Sequence, residues 1–252
     1  MFVYNLDPVL LHLGPLEIRY YGLVYALGLL FAYGFLNHLV KKGRIANLTQ
    51  ELLDVLILYL AGGLILGGRL GYFLFYARTR LVNDPLALFR VWEGGMSFHG
   101  ALLGLMLVLW LFTRKYDVKF YAIADVLVIP TALGLFFGRI ANFINGELIG
   151  TPTTVSWCIQ YKGVEGCRHP SQLYEAGKNL FIFFMLWYLY AKRRLKEGIL
   201  FWTFVLAYGV LRFFVTFYRE DPRVFGLSEG QILSALMAFV ALYFLVRIQK
   251  KH

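Results

Sequence analysis

Seven apolar runs, at about residues 18–40, 52–76, 95–113, 120–139, 178–191, 198–217 and 229–246, leave this chain few ways to fold. In a helix, ~20 apolar residues cross the ~30 Å hydrocarbon core of a bilayer. Of the 252 residues 59% are apolar and 16% charged, against about 25% charged in an average soluble protein. The expectation is an all-α membrane protein with about seven transmembrane helices, forming one integral membrane domain over residues 1–252. The fifth run is short and is expected to begin before Lys178.

Basic residues give the orientation. Lys41, Lys42 and Arg44 follow the first run, Arg114, Lys115 and Lys119 the third, Lys192, Arg193, Arg194 and Lys196 the fifth, and Arg247, Lys250 and Lys251 the seventh. These thirteen share one side. The opposite loops hold eight, namely Arg78, Arg80, Arg90, Arg139, Lys162, Arg168, Arg219 and Arg223, with acids nearby. Because cytoplasmic loops are enriched in Lys and Arg, the C-terminus is expected in the cytoplasm and the N-terminus outside. The net charge of +10 then needs no nucleic acid partner. Residues 1–17 lack Lys and Arg, so no basic n-region of a cleavable signal peptide is expected.

Cys158 and Cys167 both fall in the long outer loop between spans four and five, which is expected to form a small extracytoplasmic subdomain. In an oxidising space that spacing suits a disulfide stapling a hairpin; a catalytic thiol is the sharper alternative. Metal-ligand spacing, a P-loop and a Rossmann fingerprint are all missing, so no metal and no cofactor are expected.

Glycines mark expected helix contacts: Gly63, Gly67 and Gly71 on span two, Gly100 and Gly104 on span three, and Gly134 and Gly138 on span four. Small residues four apart let helix backbones approach closely. The same spans carry Arg69, His99 and Arg139, so tight packing would gather cations around a cavity. Arg139, Asn142, Asn145 and Gly146 recur at helical spacing, with Glu147 next. A guanidinium at mid-membrane costs roughly 2.5–3.5 kcal/mol on insertion scales, which favours snorkelling to water or gripping an anion. That face reads as a receptor for a lipid head group.

Other polar positions carry two readings each. Arg69 either pairs with a carboxylate or touches the ligand. His99 is a hydrogen-bonded helix-end residue or, with an unperturbed pKa of about 6.5, a base or donor. The stretch His169-Pro170-Ser171-Gln172-Leu173-Tyr174-Glu175-Ala176 is partly helix-start chemistry and partly a polar rim. Tyr208 and Arg212 lie one helical turn apart in an apolar span, where Arg212 has no sequence-local acid and reads as an anion contact.

Tyr20-Tyr21-Gly22, Gly67 to Gly71, Gly95-Met96-Ser97-Phe98-His99-Gly100, Gly138 through Gly150, His169 through Ala176 and Tyr208 through Arg212 together resemble the bacterial prolipoprotein diacylglyceryl transferases, in order along nearly the whole chain. The resemblance implies an inner-membrane enzyme of seven spans. It would transfer diacylglyceryl from phosphatidylglycerol to the lipobox cysteine of a prolipoprotein signal peptide, the first step of lipoprotein maturation, releasing glycerol 1-phosphate. Carried over, it implies that Arg139 binds the phospholipid, that Arg212 is essential, and that Tyr21, His99, Asn142, Gly150 and Tyr208 belong to the site. The chain departs from the family pattern at Thr216, where a glutamate usually stands, so Glu147 or Glu175 must substitute or activity is altered.

The chemistry follows from the groups. Displacing a phosphate ester with a thiol requires stabilising the departing phosphate and deprotonating a thiol of pKa about 8.5. Arginines supply the first through bidentate hydrogen bonds. His99, Tyr208 or a phosphate oxygen of the lipid itself accepts the proton. A lipid-binding or lipid-moving protein, or a catalytically impaired paralogue, would share the anion site without the transfer.

Overall fold

The computed structural model describes residues 2–13, 16–192, 195–224 and 226–250. Of the residues that set the expected orientation, Arg193, Arg194 and Lys251 lie outside the described residues. The chain is mostly helical, and it divides into two compact units: Met1–Ala32 with Ala124–His252, and Tyr33–Ile123.

Eight helices occur among the described residues: α1 (Tyr20–Lys41), α2 (Gln50–Phe75), α3 (Arg78–Asn83), α4 (Phe98–Lys115), α5 (Phe120–Ile144), α6 (Ser171–Lys192), α7 (Ile199–Val215) and α8 (Glu229–Lys250). All but the short α3 cover one apolar run each. α6 opens at Ser171, ahead of Lys178. Among the described residues, five helices are long and apolar enough to cross a membrane: α1, α2, α5, α7 with its 3-10 extension to Tyr218, and α8. Strands are marginal. β1 (Phe2–Val3) pairs in parallel with β4 (Ile159–Gln160), β2 (Val9–Leu13) forms an antiparallel hairpin with β3 (Leu16–Arg19), and β5 (Arg223–Val224) pairs with β6 (Leu227–Ser228).

In the Tyr33–Ile123 unit, α2 and α4 meet along their glycines. A Cβ on Gly67 would lie 2.8 Å from the Gly104 Cα, and one on Gly71 2.6 Å from the Gly100 Cα, closer than side chains tolerate. Bare backbone is what allows this contact, where lipid tails offer no hydrophobic drive and packing must hold the helices. Thr49 caps α2 by accepting from Leu52 N–H at 3.3 Å, and Ser97 caps α4 by accepting from Gly100 N–H at 3.2 Å. Each satisfies a donor that the first helical turn leaves unpaired. The expected glycine contact on span four differs: at Gly134 and Gly138 a Cβ would meet nothing within 4 Å. These glycines do not line a close helix crossing, because spacing alone selects no partner helix.

In the other unit, α7 and α8 clasp each other. A Cβ on Gly209 would sit 2.7 Å from the Ser234 carbonyl oxygen, and Trp202 stacks on Phe244 with centroids 4.3 Å apart. The start of α8 is a reciprocal cap built by Ser228-Glu229-Gly230-Gln231. Gln231 N–H donates to Ser228 Oγ at 3.2 Å, and Ser228 N–H to Gln231 Oε1 at 2.9 Å, the capping-box geometry. α7 borrows its cap from α5: Asp125 accepts from the backbone N–H of Gly198 at 2.6 Å and of Phe201 at 2.7 Å. That anchor fixes the start of the helix that carries Tyr208 and Arg212.

Candidate active site

The site begins where α5 stops. Gly146 adopts φ +67°, its N–H donates to the Phe143 carbonyl at 3.1 Å, and the Glu147 N–H reaches the Asn142 carbonyl at 3.0 Å. These are the two hydrogen bonds of a Schellman cap, which needs a left-handed residue that glycine supplies without strain. The expected helical face of Arg139, Asn142, Asn145 and Gly146 is corrected to a helix that ends at Ile144, since helical spacing cannot reveal where the φ angle changes sign. Tyr4 packs over Gly146, 3.1 Å from where a Cβ would be.

Upstream of the cap a polar chain runs along the last turns of α5. Arg139 Nη1 donates to Asn142 Oδ1 at 3.1 Å. Asn142 Nδ2 donates to Glu147 Oε2 at 3.0 Å and to the Tyr21 hydroxyl at 3.4 Å, and Asn145 Nδ2 donates to Glu147 Oε1 at 3.2 Å. Asn142 is buried and uses its acceptor on Arg139 and its amide on two partners, so it orients the guanidinium.

Three cations converge on one carboxylate. Glu175, 1% exposed, forms an ion pair and hydrogen bond with Arg212 Nη1 through Oε1. Its other oxygen stands 2.8 Å from Lys178 Nζ and 3.8 Å from Arg139 Nε. The Lys178 ammonium lies over the Tyr208 ring, 3.8 Å from its centroid. Neither Lys178 Nζ nor Glu175 Oε2 makes a well-aligned hydrogen bond, so theirs is an ion pair without one. Three positive groups within ion-pair reach of one negative group leave two positive charges in a largely desolvated setting, and Arg219 beside them is balanced by Asp221 at 2.9 Å. Charges are retained in such places only when paired or when an anion visits.

At Thr216, where the resemblance leads one to expect a glutamate, the structure has no carboxylate. The threonine is buried, and its hydroxyl donates back to the Arg212 carbonyl at 2.7 Å. The carboxylate on Arg212 is Glu175, and Glu147 serves the asparagines.

A second network surrounds the entry to α6. Trp157 Nε1 donates to the Tyr174 hydroxyl at 2.7 Å, and that hydroxyl lies 3.1 Å from His169 Nδ1. Indole is a donor only, so the Tyr174 proton is available to the imidazole. Burial pushes the His169 pKa below its ordinary value, which favours the neutral ring that can accept it. Tyr218 packs edge-on against both rings. Gly150 lies beneath this cluster in a bridge with Arg219, where a Cβ would stand 2.7 Å from the Tyr218 carbonyl and 2.8 Å from the His169 Cβ. Gln172 ties α6 to the loop by donating to the Glu147 carbonyl at 2.5 Å. Cys158 and Cys167 are joined as a disulfide, with Cα atoms 5.6 Å apart.

Arg69 and His99 belong to the Tyr33–Ile123 unit. Arg69 is 2% exposed and directs all five donors at backbone carbonyls of the loop that follows α3. Nε reaches Leu88 at 3.0 Å, Nη1 reaches Gly94 and, at 3.0 Å, Gly95, and Nη2 reaches Ala87 and, at 3.1 Å, Arg90. His99 stands exposed in the first turn of α4, just after the Ser97 cap.

A family profile described as prolipoprotein diacylglyceryl transferase matches residues 8–247. The chain belongs to that family. A phosphatidylglycerol–prolipoprotein diacylglyceryl transferase of Geobacter sulfurreducens is 43% identical over 253 residues, covering 98% of this chain and 97% of that one. The same-named protein of Sinorhizobium medicae is 39% identical over 96% of this chain and 92% of its own length, and that of Bordetella avium 45% identical over 89% and 86%. As a diacylglyceryl transferase family member, the chain thus carries its charge cluster on α5, α6 and α7 within a matched region that spans nearly its full length.

Lys178 is the site residue that sequence reasoning passed over, treating it as the edge of a span. A signal was present: Lys178 follows Glu175 by three positions, the spacing at which helix neighbours meet. The structure gathers Tyr21, Arg139, Asn142, Asn145 and Glu147 in one chain of contacts, links Arg139 to Glu175, Arg212 and Tyr208 through Lys178, and gathers His169 and Tyr174 with Trp157.

Proposed function

We propose that this protein transfers the diacylglyceryl group of phosphatidylglycerol to the lipobox cysteine thiol of a prolipoprotein, forming a thioether and releasing glycerol 1-phosphate. The observation that carries the reading is the convergence of Arg139, Lys178 and Arg212 on the single carboxylate of Glu175. Its uncompensated positive charge suits a lipid phosphate held at the level of the head groups, the group the reaction must stabilise.

In this reading the phosphate docks on Arg139 and Arg212, whose planar guanidiniums offer paired N–H groups. Asn142 holds Arg139 in place, and Tyr21, Asn145 and Glu147 hold Asn142. Glu175 keeps the arginines close together before the lipid arrives, so the site does not reorganise as charge develops, and such preorganised fields lower barriers by several kcal/mol in sites shielded from water, with about 2.7–4 kcal/mol measured for a single donor. His169, Tyr174 and Gly150 shape the rim. Arg69 acts by holding the 84–95 loop, with no donor left for a ligand. The thiol proton goes to His99, Tyr208 or a phosphate oxygen, and the pH profile of kcat distinguishes an imidazole from a phenol.

The reading includes seven spans in one domain over residues 1–252, a loop subdomain between spans four and five, and a bacterial inner membrane setting with the N-terminus outside. The basic-residue asymmetry and the disulfide support that sidedness, and reporter fusions with reversed polarity would overturn it. The central test is incubation of purified protein with phosphatidylglycerol and a lipobox peptide, read by mass spectrometry for a thioether-linked diacylglyceryl adduct. No adduct under conditions where a family relative is active would leave the lipid-binding reading instead.

A further inference from the structure

Two arginines and one carboxylate account for the substrate but not for the product. Phosphatidylglycerol is a phosphodiester with a single negative charge. In the transfer, a bond forms between the thiol sulfur and the glyceryl carbon, the bond from that carbon to the phosphate oxygen breaks, and its electron pair stays on the oxygen. The thiol proton leaves to a base. The departing monoester then carries two negative charges above its second pKa of about 6. Arg139 and Arg212 against Glu175 leave one positive charge, which matches the diester.

Lys178 supplies one more. Its side chain is 2% exposed, deep enough for its charge to act at low dielectric, and its ammonium is 2.8 Å from Glu175 Oε2 and 3.8 Å from the Tyr208 ring centroid. The charged and titratable groups around it are Glu175 on its own helix, Tyr208 and Arg212 from α7, and Arg139 from α5 through the shared carboxylate. An isolated ammonium there would be expelled or neutralised. The carboxylate at 2.8 Å and the electron-rich ring face at 3.8 Å are the partners that favour its charged form.

We propose that Lys178 is a charge-balancing residue of the transfer step, which acts through Glu175 and sets the cluster to match the dianion that appears as the carbon–oxygen bond breaks. An interaction that strengthens only toward the transition state raises kcat, whereas one made equally with substrate changes only KM. Lys178 therefore belongs to kcat. This inference rests on the transferase reading above.

The test uses full-length protein in lipid–detergent micelles. Lys178→Met is expected to lower kcat about 100-fold, the order found for loss of one transition-state donor, with KM for phosphatidylglycerol within about threefold of wild type. A binding arm needs no turnover. At about pH 8, where the monoester is a dianion, calorimetry compares glycerol 1-phosphate with the monoanionic diester glycerophosphoglycerol. Wild type should prefer the dianion by about tenfold or more, given one extra unit charge at close range. Lys178→Met should bind the two alike, and Lys178→Arg should keep the preference. A rise in KM with kcat unchanged, or an intact dianion preference in Lys178→Met, overturns the proposal. So does a wild type that binds the two ligands alike, with no variant needed. A wild type that transfers nothing removes the transferase reading, whereas normal transfer by Lys178→Met removes only the role of Lys178.

Discussion

Arg69 and Arg212 are both arginines carried on apolar helices and largely withdrawn from water, yet their surroundings differ in kind. Arg69 places five N–H groups on five carbonyl oxygens of one loop, with its charge against the Phe73 ring at 4.9 Å. Arg212 has one carboxylate, shared with Arg139 and Lys178. The first is saturated and holds a fold; the second is held ready with donors to offer. Burial alone does not separate a saturated arginine from one with donors to offer. The number of acceptors in reach does.

That contrast breaks first at the charge cluster. Arg212→Ala and Arg139→Ala are expected to insert and extract normally yet lose transfer by 100-fold or more, about the loss of one oxyanion donor or greater. Arg→Lys at either position should rescue poorly, because an ammonium lacks the two-pronged grip. Near-normal turnover by either alanine variant would make it a second Arg69.

Arg69→Ala should do the opposite. It strands several loop carbonyls and is expected to cost about 3 kcal/mol or more, since bonds to charged groups contribute ~1.5–3 kcal/mol each and not additively. Thermal melting reads this, with turnover per folded molecule largely kept. An unchanged melting temperature with lost turnover would move Arg69 into the site.

Cys158→Ser is expected to destabilise the outer loop by about 2–3 kcal/mol for a closed loop this short, seen as earlier proteolysis between residues 150 and 170. Equal resistance in reduced and oxidised protein would contradict it. The smallest effect is expected at Thr216→Val, which removes the hydroxyl bonded to the Arg212 carbonyl and should cost about 1 kcal/mol or less with transfer retained. Thr216→Glu should bring no gain, because Glu175 already occupies Arg212. A clear gain would show that Glu175 is an imperfect substitute.

Much was legible in the chain. Apolar runs marked every helix of 17 residues or more, because the helical rise and the bilayer thickness fix how long such a run must be. The glycines of α2 and α4 were legible as contact surfaces from neighbours four positions apart, though their pairing with each other was not. The Gly138–Gly150 stretch announced its polar residues, since such groups are costly beside hydrocarbon. Gly134 and Gly138 misled, having the spacing of a helix contact where a Cβ would meet nothing within 4 Å among the described residues.

What the sequence by itself determined was helix positions, the family resemblance and the polar residues to suspect, all set by spacing within a segment. Tertiary structure alone decided that Glu175 is the carboxylate on Arg212, that Lys178 joins two arginines over Tyr208, and that Arg69 holds a loop. Each depends on groups far apart in the chain, such as Arg139, Glu175 and Arg212. Electrostatic energy depends on distance through space and on what excludes water, and neither is written in residue order.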